Sequence, residues 1–146
     1  TPYFIPDESI QTALLMATMS GVEVNLMFPC KPDHPFVYWA TLSYVGELIM
    51  AGANCYTYDN GFLHAKGLSI DGKACCYGTA NMDIRSFELN FEVNAMIFDQ
   101  NIAGEMERIF REDLKCCTRI TKEMYKSRSV WIRFKEQISR LLSPVL

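Results

Sequence analysis

The chain has 146 residues, of which 49% are hydrophobic and 21% charged, so it is long enough to bury a core and too apolar to be disordered. Its net charge of −3 is the sum of −9 over residues 1–114 and +6 over residues 115–146, and the acidic body argues against a nucleic-acid partner. No apolar run reaches the roughly 18 residues of a membrane-spanning helix, and no signal peptide is recognisable.

Helices and strands alternate along the predicted secondary structure, which indicates an α/β layered domain. The first helix includes residues 10–17, with Asp7 or Ser9 as its N-cap, and it ends at Gly21. The next elements are a strand over 22–28, a helix over 37–49 ended by Gly52, a strand over 54–58, extended segments over 63–70 and 74–78, a strand over 91–98 and a helix over 102–114. Between the two extended segments, Asp71-Gly72 favours a tight hairpin.

Residues 115–146 are predicted to form a basic helical tail. Its end carries an apolar stripe beside basic side chains: Val130, Trp131, Phe134, Ile138, Leu141, Leu142 and Val145, with Arg133, Lys135 and Arg140. Such a helix either packs on the domain or lies on an anionic membrane, and both arrangements stay open.

The cysteines and histidines do not predict a metal site or a disulfide framework. Four of the six cysteines form adjacent pairs at 75–76 and 116–117, and neighbours in a strand point to opposite faces. The chain has neither C-x-x-C nor H-x3-H spacing. We therefore expect reduced thiols and no metal.

Polar residues concentrate around the predicted hairpin. Because alternate residues of a strand share a face, His64 and Lys66 should project together, as should Thr79, Asn81 and Asp83 if their segment is extended. The hairpin would bring the two sets within reach of each other. A histidine nitrogen, a lysine ammonium and an asparagine amide that converge in this way would make a phosphate pocket.

The same stretch resembles the phospholipase D superfamily. Its H-x-K-x4-D motif matches His64, Lys66 and Asp71, and the G-T-x-N that follows matches Gly78 to Asn81. The flanking segments 1–7, 31–34, 37–39 and 81–92 are similar to bacterial cardiolipin synthases in particular. The resemblance implies one phospholipase D-like domain over residues 1–146, with a mixed β-sheet flanked by α-helices.

The resemblance also implies a role for each matching residue. His64 would attack the phosphate or act as the partner acid or base, Lys66 and Asn81 would bind the phosphate, and Asp71 would support the site. Thr79 would supply a nearby hydroxyl, and Glu92 would hold the other ring nitrogen of the histidine. Further candidates for contacts with the substrate or with these side chains are Gly78, Asp83, Arg85 and Ser86. Asp83 and Arg85 suit either a structural ion pair with a helix cap or substrate contact.

The reaction implied is phosphatidyl transfer through a phosphohistidine, without a cofactor. For a cardiolipin synthase, two phosphatidylglycerol molecules would give cardiolipin and glycerol. The expected partners are therefore phosphatidylglycerol, other anionic phospholipids and the membrane surface. The expected location is the bacterial cell membrane, with this domain on the cytoplasmic side and the anchor upstream.

The superfamily uses two H-x-K motifs, whereas this chain has one. His34 cannot supply the second, because Pro35 follows it and no lysine lies two residues later. The start at Thr1 favours an upstream half that carries the partner motif, and the alternative is a homodimer. The chain alone is accordingly expected to be inactive or weak. Two other functions stay open: phosphodiester hydrolysis, as a phospholipase D or nuclease, and a non-catalytic lipid-binding half.

Overall fold

The structure, a computed structural model, describes residues 1–31 and 33–143. Its strands are β1 (Phe4–Ile5), β2 (Asn25–Pro29), β3 (Asn54–Tyr58), β4 (Gly67–Ile70), β5 (Ala74–Gly78), β6 (Met82–Asp83), β7 (Asn94–Ile97) and β8 (Cys117–Ile120). Its helices are α1 (Glu8–Met19), α2 (Pro35–Ala51), α3 (Ile84–Glu88), α4 (Gln100–Asp113), α5 (Lys122–Lys126) and α6 (Val130–Leu141). A 3₁₀ turn, Leu114–Cys116, joins α4 to β8.

The strands form three groups with mixed directions. Strand β3 pairs in parallel with β2 and antiparallel with β8, while β5 pairs antiparallel with both β4 and β7. Strands β1 and β6 form a short parallel pair. Helices pack against these strands, so the predicted mixed α/β architecture is confirmed.

The core lies between helix α2 and the strands on either side of it. Its buried members are Phe4, Phe28, Val45, Leu48, Ile49, Ala53 and Cys55. Each large apolar side chain buried in this way stabilises the fold by about 1.5–3 kcal/mol. Strand β1 contributes Phe4 to this core and pairs with β6, so the core fixes the start of the polar segment around Asp83.

Several local signals in the sequence are confirmed. Asp7 is the N-cap of α1, where its carboxylate accepts a hydrogen bond from Ile10 N at 2.8 Å. Gly52 ends α2 with a φ of 119°, a left-handed conformation that favours glycine. Asp71 and Gly72 have φ values of 53° and 60°, as the predicted tight hairpin between β4 and β5 requires.

Other boundaries differ from the prediction. Residues 117–120 form strand β8 rather than helix, because they pair with β3 from Cys55 to Tyr58. Residues 63–66, 91–93 and 22–24 lie outside the strands that were expected to include them. The polar motif residues therefore precede β4 or β7 instead of lying within them.

Helix α6 packs on α2, but not through the apolar stripe that was expected to pack on the domain or lie on a membrane. It does so through its polar side: Glu136 is 1% exposed and Ser139 is 0% exposed. The apolar stripe faces solvent, with Trp131 74% and Leu141 78% exposed. Val145, which was assigned to the same stripe, lies outside the described residues. In the part of the chain that is described, none of the helices is long and apolar enough to cross a bilayer.

A buried ion pair holds α6 in this orientation. Arg128 Nη2 donates to Glu136 Oε2 at 2.8 Å, and the guanidinium of Arg128 lies 3.1 Å from the ring centroid of Tyr125. Gly46 of α2 makes room for Tyr125, because a Cβ at this position would clash with the phenol ring. The polar side of α6 is thus tied to α2 through α5 and Arg128.

We expect Glu136→Ala to lower the free energy of unfolding by about 3 kcal/mol, because it leaves the Arg128 guanidinium buried without its carboxylate. Urea titration monitored by circular dichroism measures this loss. The matched control is Glu105→Ala, which removes an exposed pair with Arg108 and should change the stability little. Equal effects of the two substitutions would contradict a stabilising role for the buried pair.

Candidate active site

His64 and Lys66 lie in an extended segment immediately before β4. Gly67 pairs with Tyr77, and one step further Gly78 N donates to Lys66 O at 3.3 Å. This hydrogen bond joins the two halves of the motif at the open end of the hairpin. Lys66 Nζ also donates to His64 O at 3.0 Å, so the lysine side chain folds back toward the histidine backbone.

The segment after β5 is tied to the segment before β7. Thr79 N donates to Val93 O at 3.0 Å, and Val93 N donates to Thr79 Oγ1 at 2.9 Å. Ala80 N donates to Asn94 Oδ1 at 3.3 Å. These contacts place Glu92, which precedes Val93, beside the end of β5.

Asn81, Asp83 and Ser86 form a second local network. Asp83 caps α3 by accepting a hydrogen bond from Ser86 N at 2.7 Å, and Asn81 N donates to Ser86 Oγ at 3.1 Å. Asn81 Oδ1 is buried and has no hydrogen-bond partner among the described residues. An unpaired buried acceptor costs about 1–3 kcal/mol, so this oxygen is suited to a ligand hydroxyl.

The charges of Lys66 and Glu92 interact. Burial lowers the pKa of the Lys66 ammonium, while the carboxylates of Glu92 and Asp83 act in the opposite direction. The pKa of Glu92 is lowered chiefly by hydrogen bonding to Thr79, and further by Asn90, Ser86 and the charge of Lys66. Lys66 and Glu92 are therefore close enough for each charge to affect the pKa of the other.

The imidazole of His64 is exposed, and its backbone carbonyl accepts the hydrogen bond from Lys66. Its ring centroid lies 5.7 Å from that of Phe62, with an interplanar angle of 30°. Among residues 1–31 and 33–143, no hydrogen bond joins the ring to Glu92, whose carboxylate accepts instead from Asn90 Nδ2 at 3.3 Å. The expected contact between His64 and Glu92 therefore stays a prediction.

Asp71 is separated from the other motif residues. It lies in the turn at the opposite end of β4 from Lys66, where its φ is 53°. With about 3.3 Å of rise per residue, the four residues of β4 place the turn more than 10 Å from the start of the strand. We therefore assign Asp71 to the hairpin turn rather than to the catalytic cluster, since aspartate tolerates this conformation.

A pocket of about 270 Å³ adjoins the cluster. Its lining consists of Tyr3, Ile5, His34, Val37, Asn81, Asp83, Ile84, Arg85, Asn90 and Ser143. Arg85 lines this pocket, and in the described part of the chain it makes no ion pair with Asp83, which argues for substrate contact over a structural pair. His34 and Asn90 also line it. Both lie outside the defined motif, in flanking segments that resemble cardiolipin synthases, and neither was among the predicted site residues.

Gly78 is the residue that lets β5 approach residues 93–94. A Cβ at this position would clash with Val93 O and lie 2.6 Å from Asn94 Cα. We expect Gly78→Ala to lower the free energy of unfolding by about 1–3 kcal/mol, as overpacking does, and to separate Glu92 from Lys66. Chemical denaturation measures the first effect.

The matched control is Gly104→Ala in α4, where a Cβ would meet nothing within 4 Å. This substitution should raise the stability by up to about 1 kcal/mol, since alanine favours a helix. A Gly78→Ala variant as stable as the original chain would show that the close approach is not required.

Comparison with known proteins is consistent with this geometry. The family model described as "Cardiolipin synthase, PLD-like domain" matches residues 1–114. A cardiolipin synthase of Oceanobacillus iheyensis and the major cardiolipin synthase ClsA of Bacillus subtilis are each 58% identical over all 146 residues. The chain spans about 30% of the length of each of these relatives.

Two solved structures share the fold at low sequence identity. A phospholipase D family member, Nuc from Salmonella typhimurium, gives a TM-score of 0.72 at 16% identity over 82% of this chain and 78% of its own. Phosphatidylserine synthase of Haemophilus influenzae gives 0.73 at 16% identity over 99% of this chain and 37% of its own. With the family match and the high identity to bacterial relatives, the chain belongs to the cardiolipin synthase family of phospholipase D-like domains.

Proposed function

We propose that this chain is the C-terminal catalytic part of a phosphatidyltransferase that condenses two phosphatidylglycerol molecules into cardiolipin and glycerol. Residues 1–146 would form one domain that contributes one of two H-x-K motifs. The observation that carries the proposal is the hydrogen bonding at the end of β5. Gly78 N donates to Lys66 O and Thr79 N donates to Val93 O, which brings the two parts of the motif and the segment with Glu92 to one end of the strand. The relatives that are 58% identical to this chain are cardiolipin synthases, which supports this choice of substrate.

In the first step, an imidazole nitrogen of one motif histidine attacks the phosphorus of phosphatidylglycerol. The bond from phosphorus to the headgroup glycerol oxygen breaks, and the other histidine donates the proton that glycerol takes away. In the second step, that histidine removes a proton from the headgroup hydroxyl of a second phosphatidylglycerol. The oxygen attacks the phosphorus, and the bond between phosphorus and the first histidine breaks, which releases the free imidazole. His64 takes one of these two roles.

The neighbouring side chains serve this chemistry electrostatically. The Lys66 ammonium and the Asn81 amide would bind the non-bridging phosphate oxygens, where negative charge accumulates. The Thr79 hydroxyl lies beside them, and Glu92, whose lowered pKa keeps it anionic, would stabilise a histidine cation after a small movement toward the ring. Arg85 and His34, which line the pocket, would meet the phosphate of the second lipid.

The second motif is proposed to come from the part of the protein that this chain does not span. The relatives of this chain are more than three times as long as the chain, which leaves room for another half of the same size. A homodimer is the other way to pair two histidines. The full enzyme would act at the cell membrane, with this domain on the cytoplasmic side.

We expect His64→Ala to reduce cardiolipin formation by at least about 10³-fold in the longest natural protein that contains this chain. Thin-layer chromatography of labelled phosphatidylglycerol measures the products. The control is Lys73→Ala at the exposed hairpin end, which should leave the rate unchanged. The 146-residue chain alone, with one motif, should convert almost nothing.

Each other outcome of this assay selects a different function. Free phosphatidic acid in place of cardiolipin would mean hydrolysis. Full activity of His64→Ala would mean that this domain binds lipid without taking part in the chemistry. Robust conversion by the isolated chain would contradict the need for a second motif within the same polypeptide.

The lowered pKa of Lys66 predicts the alkaline side of the pH profile. Binding of phosphate requires the ammonium form, so kcat/KM should fall as the pH rises through a pKa below the usual 10.5. Lys66→Arg keeps its charge to higher pH and should remove this alkaline decline, although its different shape lowers the maximal rate. An unchanged alkaline limb in Lys66→Arg would assign the decline to another group.

A further inference from the structure

Helix α6 has the reverse of the usual arrangement for a helix on a soluble domain. The side that packs on α2 carries Glu136 and Ser139, both buried. The side that faces outward carries Val130, Trp131, Phe134, Ile138 and Leu141, which are between 38% and 79% exposed. An apolar stripe of this length is costly in water and indicates an interaction surface.

The surroundings of the stripe are basic. At 100° per residue, Arg133 and Lys135 lie on opposite flanks of the stripe, and Lys122 and Lys126 of α5 precede it in the chain. Residues 115–146 carry +6, whereas residues 1–114 carry −9. Apolar side chains flanked by lysine and arginine, with tryptophan among them, are typical of helices that lie in the interface of an anionic bilayer.

The charge also argues against a second copy of the chain as the occupant. A two-fold contact through α6 would place two basic segments opposite each other, which is unfavourable. An anionic lipid surface instead attracts the same residues by about 1 kcal/mol for each lysine or arginine near it. Charge complementarity therefore selects the bilayer.

The end of α6 reaches the candidate active site. Ser143, two residues after the helix, lines the pocket that Asn81 and Arg85 also line, and Tyr44 Oη lies 2.9 Å from Ser143 Oγ. The pocket volume of about 270 Å³ is below the roughly 300–1,000 Å³ of pockets that enclose drug-sized ligands. It can take a headgroup but not two acyl chains, so the chains of a lipid substrate must stay outside.

We propose that the outward face of α6 inserts into the surface of an anionic phospholipid bilayer and places the mouth of the pocket at the headgroup level. The stripe would enter the acyl boundary, while Arg133, Lys135 and the lysines of α5 meet lipid phosphates. This inference extends the proposed function to the way in which the lipid reaches the site. Vesicle binding tests it separately from turnover.

The experiment uses Trp131 as the reporter. In a Trp39→Phe variant of the 146-residue chain, whose fold is checked by circular dichroism, Trp131 is the single tryptophan. Its emission should shift to the blue on phosphatidylglycerol vesicles, and brominated phosphatidylglycerol should quench it. Vesicles of phosphatidylcholine should bind at least about tenfold more weakly, because the basic residues lose their anionic partners. The reciprocal variant Trp131→Phe keeps Trp39, which lies under Lys135, and should show little quenching.

A pair of charge substitutions tests the face itself. Leu141→Glu in α6 and Met19→Glu in α1 alter side chains of nearly equal exposure, 78% and 77%, so neither should unfold the chain. Leu141→Glu should weaken binding to phosphatidylglycerol vesicles by about tenfold or more, and Met19→Glu should not.

Equal binding by the two variants would overturn the proposal. A Trp131 that brominated phosphatidylglycerol does not quench would also overturn it. This holds if the chain stays monomeric, and it holds if light scattering shows a dimer that Leu141→Glu dissociates. A chain that binds vesicles through α6 while the longer protein makes no cardiolipin would uphold the docking and overturn the proposed function. A chain that does not bind vesicles while the longer protein makes cardiolipin at the full rate would overturn the docking and uphold the proposed function.

Discussion

The close approach of β5 to residues 93–94 is the contact on which the site depends. Gly78 permits it, because any side chain there would collide with Val93 O. The hydrogen bonds between Thr79 and Val93 then fix the position of Glu92, while Gly78 N holds Lys66 O. Gly78 thus allows Lys66, which precedes β4, and Glu92, which precedes β7, to approach each other.

The charge balance of the cluster bears on its proposed role in phosphate binding and on the proposal of a second motif. Lys66 is the cation of the cluster, and the carboxylates of Glu92 and Asp83 both act on it. A phosphodiester anion bound at this cluster would meet one ammonium, from Lys66, and one amide, from Asn81. A second motif with its own lysine would supply the missing positive charge, which is the physical reason for proposing two halves.

Local signals were readable from the sequence, whereas long-range ones were not. The cap at Asp7, the end of α2 at Gly52 and the hairpin at Asp71-Gly72 follow from backbone preferences of single residues. Strand β8 was missed because its Cys-Thr-Arg-Ile sequence has little pattern of its own and is extended through pairing with β3. Likewise, Asn81 belongs to the motif and lines the pocket, whereas His34 and Ser143 line it through the packing of α2 and α6.

The orientation of α6 follows from its polar residues rather than from its apolar ones. A buried carboxylate such as Glu136 requires a partner, and Arg128 provides one on the side of the helix that faces α2. With the polar side of α6 against α2, the apolar stripe faces outward and is exposed to water. Transfer of these side chains into lipid is favourable. The same ion pair that stabilises the fold therefore also exposes the surface that we propose for the membrane, and the helix ends where a headgroup would enter the pocket.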